Sequence, residues 1–364
     1  MDKLYKDIEL KVNNNLRLSK EEGLALMECQ DLLFLGKLAR EVKLRKTERK
    51  AFFNVNRHIN LTNICISRCK FCAFGVDKND AKAYVMSIEE VVNKGLEALP
   101  QGATELHIVS GLHPEKSFSY YLNVIREVRK HIPNIHIQAF TAVEIDYFAQ
   151  ISGLSIKEVL QQLKEAGLGS LPGGGAEVFS SRVRQELCAK KASGERWLEI
   201  METAHRMGLR TNATMLFGHI ETIEERIDHL IKLRELQDKT GGFQSFIPLP
   251  FHPANTQLEN IKRTTAYEEL KMIAVSRLML DNFDHIKAFW IMLGIPLAQI
   301  SLEFGVDDLD GTVVEEKITH AAGAQTKEGI SKEELLELIF TAGYIPVERD
   351  TVYNELKIYE RNET

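Results

Sequence analysis

The chain is predicted to fold as an α/β barrel, either a full (β/α)8 barrel or a six-stranded partial barrel, with a helical segment in front of it. Three observations predict this. From residue 54 onward, strand-like apolar runs alternate with amphipathic helical stretches, the pattern of parallel strands joined by crossover helices. About eight such units fit in a chain of this length. The notable polar and glycine motifs fall at the C-terminal ends of the predicted strands, where barrels of this kind carry their sites.

The elements can be justified in order. Residues 1–50 read as helical: Leu18-Ser19-Lys20-Glu21-Glu22 places a capping serine before an acidic first turn. Leu24, Leu26, Met27, Leu32, Leu33, Leu35 and Leu38 supply apolar faces that would pack on the main domain. The expected organisation is residues 1–50 as a helical segment and 51–364 as the barrel with a C-terminal extension. Phe53 to Leu61 reads as strand one. Ser87 to Leu99 reads as a helix, with Ser87 as its cap and Glu89-Glu90 in its first turn. Glu105 to Val109 is strand two, followed by a helix through Arg129. Ile135 to Phe140 is strand three, and Ser155 to Ala166 a helix stopped by Gly167. Leu168 to Leu171 is a short strand four, Trp197 to Met207 a helix, and Arg210 to Phe217 strand five. Ile223 to Lys239 is a long helix, Phe243 to Leu249 strand six, and Thr265 to Leu280 a helix. Ile286 to Trp290 and a segment near Asp307 are expected as strands seven and eight. Ser331 to Thr341 is the last clear helix.

Composition narrows the function. Hydrophobic residues make up 44% of the chain, enough for a sizeable core. The net charge is -6, from 46 Lys and Arg against 52 Asp and Glu, which argues against a nucleic-acid partner. No run of about 18 apolar residues is present, so no membrane span is expected. Met1-Asp2-Lys3-Leu4-Tyr5 does not lead into the apolar stretch of a signal peptide. There are five cysteines, too few for a disulfide scaffold of this size. Their clustering suits a reducing compartment, and a cytoplasmic location is expected.

Cys65, Cys69 and Cys72 fall within eight residues at C-x3-C-x2-C spacing, at the end of strand one. Short spacings let one loop wrap a metal centre with soft thiolate ligands. A simple ferredoxin centre or a closed zinc site wants four ligands, yet Cys29 and Cys188 are distant in sequence. Three thiolates would hold a four-iron cluster and leave one iron open. Three cysteines with His58 completing a zinc site is the other arrangement this spacing allows.

Further motifs follow the later strands: Ser110-Gly111-Leu112-His113-Pro114 after strand two, Leu171-Pro172-Gly173-Gly174-Gly175-Ala176-Glu177 after strand four, and Met215-Leu216-Phe217-Gly218-His219-Ile220-Glu221 after strand five. With the cysteine loop and Phe71 before its last Cys, these resemble the radical S-adenosylmethionine (SAM) superfamily. Nearly the whole chain is similar to the aminofutalosine synthase family of the futalosine route to menaquinone. Asn212-Ala213-Thr214-Met215-Leu216, Phe246-Ile247-Pro248-Leu249, Phe289-Trp290-Ile291-Met292-Leu293-Gly294 and Asp308-Leu309-Asp310-Gly311-Thr312 carry that likeness. The last two favour it over the dehypoxanthine futalosine cyclases. The triple glycine disfavours the deazaflavin-cofactor synthase subunits, which tend to Gly-Thr-Ala there.

The resemblance implies a TIM-type barrel holding a [4Fe-4S] cluster on Cys65, Cys69 and Cys72, with S-adenosyl-L-methionine on the open iron. It implies SAM contacts from Phe71, Ser110, Gly111 and Gly218, and a carboxylate and an arginine, Glu177 and Arg196, at its amino and carboxylate ends. The superfamily often has Glu where this chain has Leu112, so the carboxylate must come from elsewhere. The implied reaction adds the 5′-deoxyadenosyl radical to 3-[(1-carboxyvinyl)oxy]benzoate, with rearrangement and loss of the carboxyl group. A dianionic substrate needs hydrogen-bonding or cationic partners; His58, His113, Asn212, His219 and Lys287 are the expected set, with Arg57 and His252 as further candidates. The partners implied are this small molecule and an electron donor such as flavodoxin or ferredoxin.

Overall fold

The computed structural model describes residues 3–361; Met1, Asp2 and residues 362–364 of the two expected segments lie outside the described residues. Its strands are β1 (Lys50–Asn54), β2 (Asn56–Asn60), β3 (Glu105–Val109), β4 (His136–Ala139), β5 (Ser170–Leu171), β6 (Arg210–Phe217), β7 (Phe243–Pro250), β8 (His285–Ile286), β9 (Asp308–Gly311), β10 (Ile345–Arg349) and β11 (Glu355–Ile358). Seven of them form one parallel sheet in sequence order, β2-β3-β4-β5-β6-β7-β8. The sheet curls into the expected barrel. The gap between its edges is spanned by β9 and the residues after it. The Ala288 N–H donates to the Asp308 carbonyl at 2.8 Å, and the His58 N–H donates to the Val314 carbonyl at 3.0 Å.

Six of the helices around the barrel start with the same device. Ser87 with Glu90, Thr141 with Glu144, Ser155 with Glu158, Thr222 with Glu225, Thr265 with Glu268 and Ser331 with Glu334 form reciprocal capping boxes. In each, the hydroxyl accepts a backbone N–H three residues on, and the Glu carboxylate accepts the cap's own N–H. Gly153, Gly167 and Gly241 end helices in the left-handed conformation that a side chain resists. Helices Lys20–Glu28 and Leu32–Thr47 pack on Ala266–Met279 and share one continuous apolar core with the barrel.

Four expectations are corrected. The extended run read as one strand from Phe53 to Leu61 is two strands in different sheets: β1 pairs with β9 and β10, and β2 with β3. Alternation along a strand cannot reveal which neighbour it will bond. Strand seven is short, because Trp290 starts a helix, Trp290–Leu293, and its indole Nε1 donates to the Gly311 carbonyl at 2.9 Å. Strand eight becomes a member of a four-stranded sheet ordered β11-β10-β1-β9. The helices Ala142–Ser152 and Ser181–Cys188 and the antiparallel pair β10 and β11 were not anticipated.

A buried run of charge holds this seam. Asp307 takes Arg277 Nη2 at 2.7 Å and His285 Nδ1 at 2.7 Å, Asp308 takes Arg349 Nε at 2.6 Å, and Asp310 takes Lys287 Nζ at 3.0 Å. Burial by itself would raise the Asp307 carboxyl, but Arg277 and His285 bring it below its ordinary value. The pairs join elements far apart in sequence, so each seals strand order as well as charge. Removing one partner of a buried pair typically costs about 3–5 kcal/mol, because the other charge stays behind in a dry site. Asp308→Asn is expected to lower unfolding free energy by roughly that amount, measured by urea denaturation against the parent with the m-value unchanged.

Candidate functional site

A cavity of about 360 Å³ opens where the parallel strands end. Its wall takes residues from β2 and from the loops after β2, β3, β4, β5, β7 and β8, together with side chains on β6, β7 and β9. Cys65, Cys69 and Cys72 all line it, while Cys29 and Cys188 do not. The loop that carries them is pinned by backbone pairing. Cys65 N–H donates to Val76 O at 3.1 Å, Val76 N–H to Asn63 O at 2.8 Å, and Ile66 N–H to Leu112 O at 3.0 Å. Gly111 is required at this crossing: a Cβ there would lie 2.5 Å from the Ile64 carbonyl oxygen. The Ser-Gly turn after β3 is therefore a packing joint for the cysteine loop as well as part of the cavity wall.

The residues fit an iron–sulfur centre by their chemistry. Gly75 N–H points to Cys72 Sγ at 3.4 Å, and a Cβ on Gly75 would meet Cys65 Cβ at 3.4 Å and Cys72 Sγ at 3.8 Å. Burial pushes the Cys69 thiol up to about 12, so its thiolate needs a positive centre beside it. Among the described residues no three His, Cys, Asp or Glu side chains gather to hold a single metal ion. His58 is instead stacked on His107, with ring centroids 4.4 Å apart and planes 13° from parallel.

The Gly173–Gly175 turn lets the chain cross β6 closely: a Cβ on Gly173 would sit 2.8 Å from the Asn212 backbone. Thr214 Oγ1 donates to Gly173 O at 2.7 Å. The turn delivers Glu177 with φ +48°, a conformation uncommon outside glycine and frequent at functional sites. Its carboxylate faces the cavity and takes Lys191 Nζ at 2.6 Å. Burial would raise Glu177, but Lys191 more than offsets it and the carboxyl lies below its usual range. Lys191 also lies over the Phe71 ring, 5.1 Å from its centroid.

Of the residues expected from sequence, His58, Cys65, Cys69, Phe71, Cys72, Ser110, Gly111, Glu177 and Asn212 meet in this cavity, as does His252. Others do not reach its wall. Arg196 is held by Asp146 at 2.8 Å and Glu199 at 2.9 Å. His113 accepts the Glu115 N–H at 3.1 Å, and His219 sits between the Leu216 carbonyl at 2.9 Å and Glu221 at 2.7 Å. Gly218 forms a turn at φ +91° that Thr264 closes over. Lys287 is committed to Asp310, and Arg57 to Glu315 at 2.8 Å.

Sequence reasoning missed four wall residues: Glu144, Lys191, His107 and Glu316. Glu144 is buried, which pushes its carboxyl up to about 7 despite hydrogen bonds from Thr141 and from the Ser110 N–H at 2.7 Å. The capping-box spacing after strand three was its available signal. His107 showed as a polar residue inside an otherwise apolar strand. Lys191 carried no signal in the chain, since its partner lies in another loop.

Residues 59–233 match the radical SAM superfamily, and residues 240–362 match the CofH/MqnC C-terminal region. Barrel, cysteine loop and match define a protein of the radical SAM class. The aminodeoxyfutalosine synthase of Thermus thermophilus is 48% identical over 357 residues, covering 97% of this chain and 96% of its own. That of Streptomyces coelicolor is 46% identical over 368 residues, covering 98% and 95%. A 5-amino-6-(D-ribitylamino)uracil–L-tyrosine 4-hydroxyphenyl transferase of Methanopyrus kandleri and the cyclic dehypoxanthine futalosine synthase of Streptomyces coelicolor are 41% and 37% identical, over 93% and 94% of this chain. The chain belongs to the radical SAM superfamily and, within it, to the family of the aminodeoxyfutalosine synthases. In fold it is similar to the FeFe-hydrogenase maturase HydG of Carboxydothermus hydrogenoformans, with a TM-score of 0.75 at 19% identity over 96% of this chain and 80% of that one. No helix among the described residues is long and apolar enough to cross a membrane.

The segment that closes one side of the cavity carries a titratable latch. Glu316 lines the cavity and accepts Thr319 N–H at 2.9 Å and His320 Nδ1 at 2.9 Å. The hydrogen bond to Glu316 raises the His320 imidazole to about 9. Because the folded value lies above the unfolded one of about 6.5, the pair's contribution to stability is complete below the unfolded value. It is lost as pH rises through the folded one. His320→Asn is expected to flatten that part of the Tm-against-pH curve, read by thermal denaturation at a series of pH values.

Proposed function

We propose that this protein is an aminodeoxyfutalosine synthase. The full-length likeness to two synthases carries the reading, and the three loop cysteines on the cavity wall support it. A [4Fe-4S] cluster held by Cys65, Cys69 and Cys72 would, with SAM bound, supply the reductive SAM cleavage that adenosylation of 3-[(1-carboxyvinyl)oxy]benzoate to aminodeoxyfutalosine requires. Cys65, Cys69 and Cys72 are the proposed cluster ligands. Glu177 and Lys191 form a carboxylate and ammonium pair on the wall, complementary to the zwitterionic end of SAM. Glu177 would receive the α-ammonium or a ribose hydroxyl, and Lys191 the α-carboxylate. That second role passes to Lys191 from Arg196, whose guanidinium is engaged with Asp146 and Glu199 away from the cavity. Ser110, Gly111 and Phe71 complete the SAM side. A flavodoxin- or ferredoxin-type donor would supply the electron, and the reaction would take place in the cytoplasm.

Three outcomes are expected. Anaerobically reconstituted Cys72→Ala protein should lose iron and sulfide, whereas Cys29→Ala and Cys188→Ala should retain them by elemental analysis. Lys191→Met should weaken SAM binding by about ten- to a hundredfold, the usual loss for one charge-assisted contact, measured by equilibrium dialysis on the cluster-loaded protein. SAM labelled in its adenosyl group, incubated with reductant and the enolpyruvyl benzoate, should deliver label into a larger product by mass analysis. Label recovered only as free 5′-deoxyadenosine, with the benzoate unconsumed, would remove the assignment.

A further inference from the structure

The cavity has two unlike sides. Leu216, Leu249, Phe251, Phe289 and Met292 make an apolar one, joined in a small cluster of their own. His58, His107, Asn212 and Asp310 make a polar one. The charge on the polar side is already matched, since Asp310 holds Lys287 at 3.0 Å. What remains open there is neutral hydrogen-bonding capacity.

Asn212 lies on β6 and is buried apart from the cavity. Its Oδ1 accepts Ser245 Oγ at 3.0 Å and Gln244 Nε2 at 3.4 Å, both from β7. Those two donors set the orientation of the amide. Its Nδ2 makes no hydrogen bond among the described residues and is not among the atoms sealed away from solvent, so it is the end open to the cavity. The His58 imidazole likewise has no hydrogen-bond partner among the described residues, its contacts being ring stacking. His107, by contrast, is fixed by Gln138 Oε1 at 3.1 Å.

Three rings lining the cavity share an orientation across its polar and apolar residues. His107 and His58 face each other across β3 and β2, which pair in register at these two positions. Beyond them, on the side of β8, Phe289 lies 6.3 Å from His58 with planes only 7° from parallel. Burial and the neighbouring His107 and Lys287 hold His58 well below its ordinary value, so its imidazole is neutral. His107 covers one face of His58 and Phe289 stands over the other, so a planar ring in the cavity meets the edges of this stack, the edge-to-face arrangement that aromatic pairs favour.

We propose that Asn212, His58 and Phe289 form the subsite for the aromatic acid half of the substrate: the ring packs against the edges of the Phe289 and His58 rings, and the Asn212 amide N–H donates to a carboxylate oxygen. The proposal rests on the reading of the substrate as an aryl acid, and it separates this subsite from the Glu177–Lys191 pair that would face SAM. Asn212→Asp is the decisive change. It keeps size and shape but turns the donor into an acceptor bearing charge.

The experiment uses the cluster-loaded enzyme and two readouts. One is KM and kcat with the enolpyruvyl benzoate. The other is direct binding of 3-hydroxybenzoate, the aromatic half of that substrate, by isothermal titration calorimetry without turnover. Asn212→Asp and Phe289→Leu should each weaken 3-hydroxybenzoate binding and raise KM, the former by about ten- to a hundredfold. SAM affinity and iron content should match the parent, which also shows that the variants fold. Should Asn212→Asp prove misfolded, Asn212→Ser removes the amide donor more gently and should give the same pattern. Parental KM and parental 3-hydroxybenzoate affinity in folded Asn212 variants would overturn the subsite while leaving the activity intact. Conversely, parent enzyme that binds 3-hydroxybenzoate through Asn212 yet makes no product would uphold the subsite and overturn the reaction.

Discussion

Three acidic residues within four positions, Asp307, Asp308 and Asp310, each meet a buried cation from a different part of the chain. Arg277 comes from the helix before β8, Arg349 from β10, and Lys287 from the turn after β8. Everything at the seam of the barrel depends on these matches. They bring β9 between β8 and β2, tie the C-terminal strands to β1, and leave none of these three buried carboxylates unmatched. A buried pair of this kind adds little stability over an apolar substitute, but a broken one is severely unfavourable. Strand order at the seam is thereby specified more strongly than apolar packing could specify it, because a slipped register would strand a charge.

The same logic of matched charge continues upward into the cavity. Glu177 and Lys191 satisfy one another in the free protein and are complementary to the two ends of an amino acid. Glu144 organises the Ser110 turn rather than meeting a cation, and burial moves its carboxyl toward neutrality. The cysteine loop is held by backbone hydrogen bonds and by one obligatory glycine at the crossing with β3. Thr62, Asn63 and Arg68 add side-chain hydrogen bonds to the backbone of the same loop and the segment after it. Opposite, the wall of rings and the open Asn212 amide provide an uncharged, partly apolar face. One cavity thus holds a matched carboxylate–ammonium pair and a set of near-parallel rings.

The strand-end sites were legible because barrel topology maps sequence order onto the ring of loops. Cys65, Ser110, Glu177 and Asn212 each follow or lie on a strand recognisable from its apolar run, so their convergence follows from parallel order. Residues placed by a turn rather than by a strand were not legible. Arg196 has the expected spacing from Glu177, yet its helix carries it to Asp146 instead of the cavity. Lys191, only five residues earlier, ends inside because helix Ser181–Cys188, absent from the sequence reading, redirects the chain. His113 and His219 sit close to strand ends but are consumed by local turns.

By itself the sequence determined the periodic elements, their caps, the clustering of thiols and the resemblance that named a chemistry. Those are properties of neighbours along the chain: apolar period, a hydroxyl three residues before a glutamate, cysteines within one loop. Only the tertiary structure decided that Phe53 to Leu61 divides between two sheets, that β9 spans the barrel's gap, and that Lys191 rather than Arg196 stands across from Glu177. Each of these is a choice among partners distant in sequence. Burial makes that choice, since an unpaired charge or amide inside the barrel costs far more than the same group left in water.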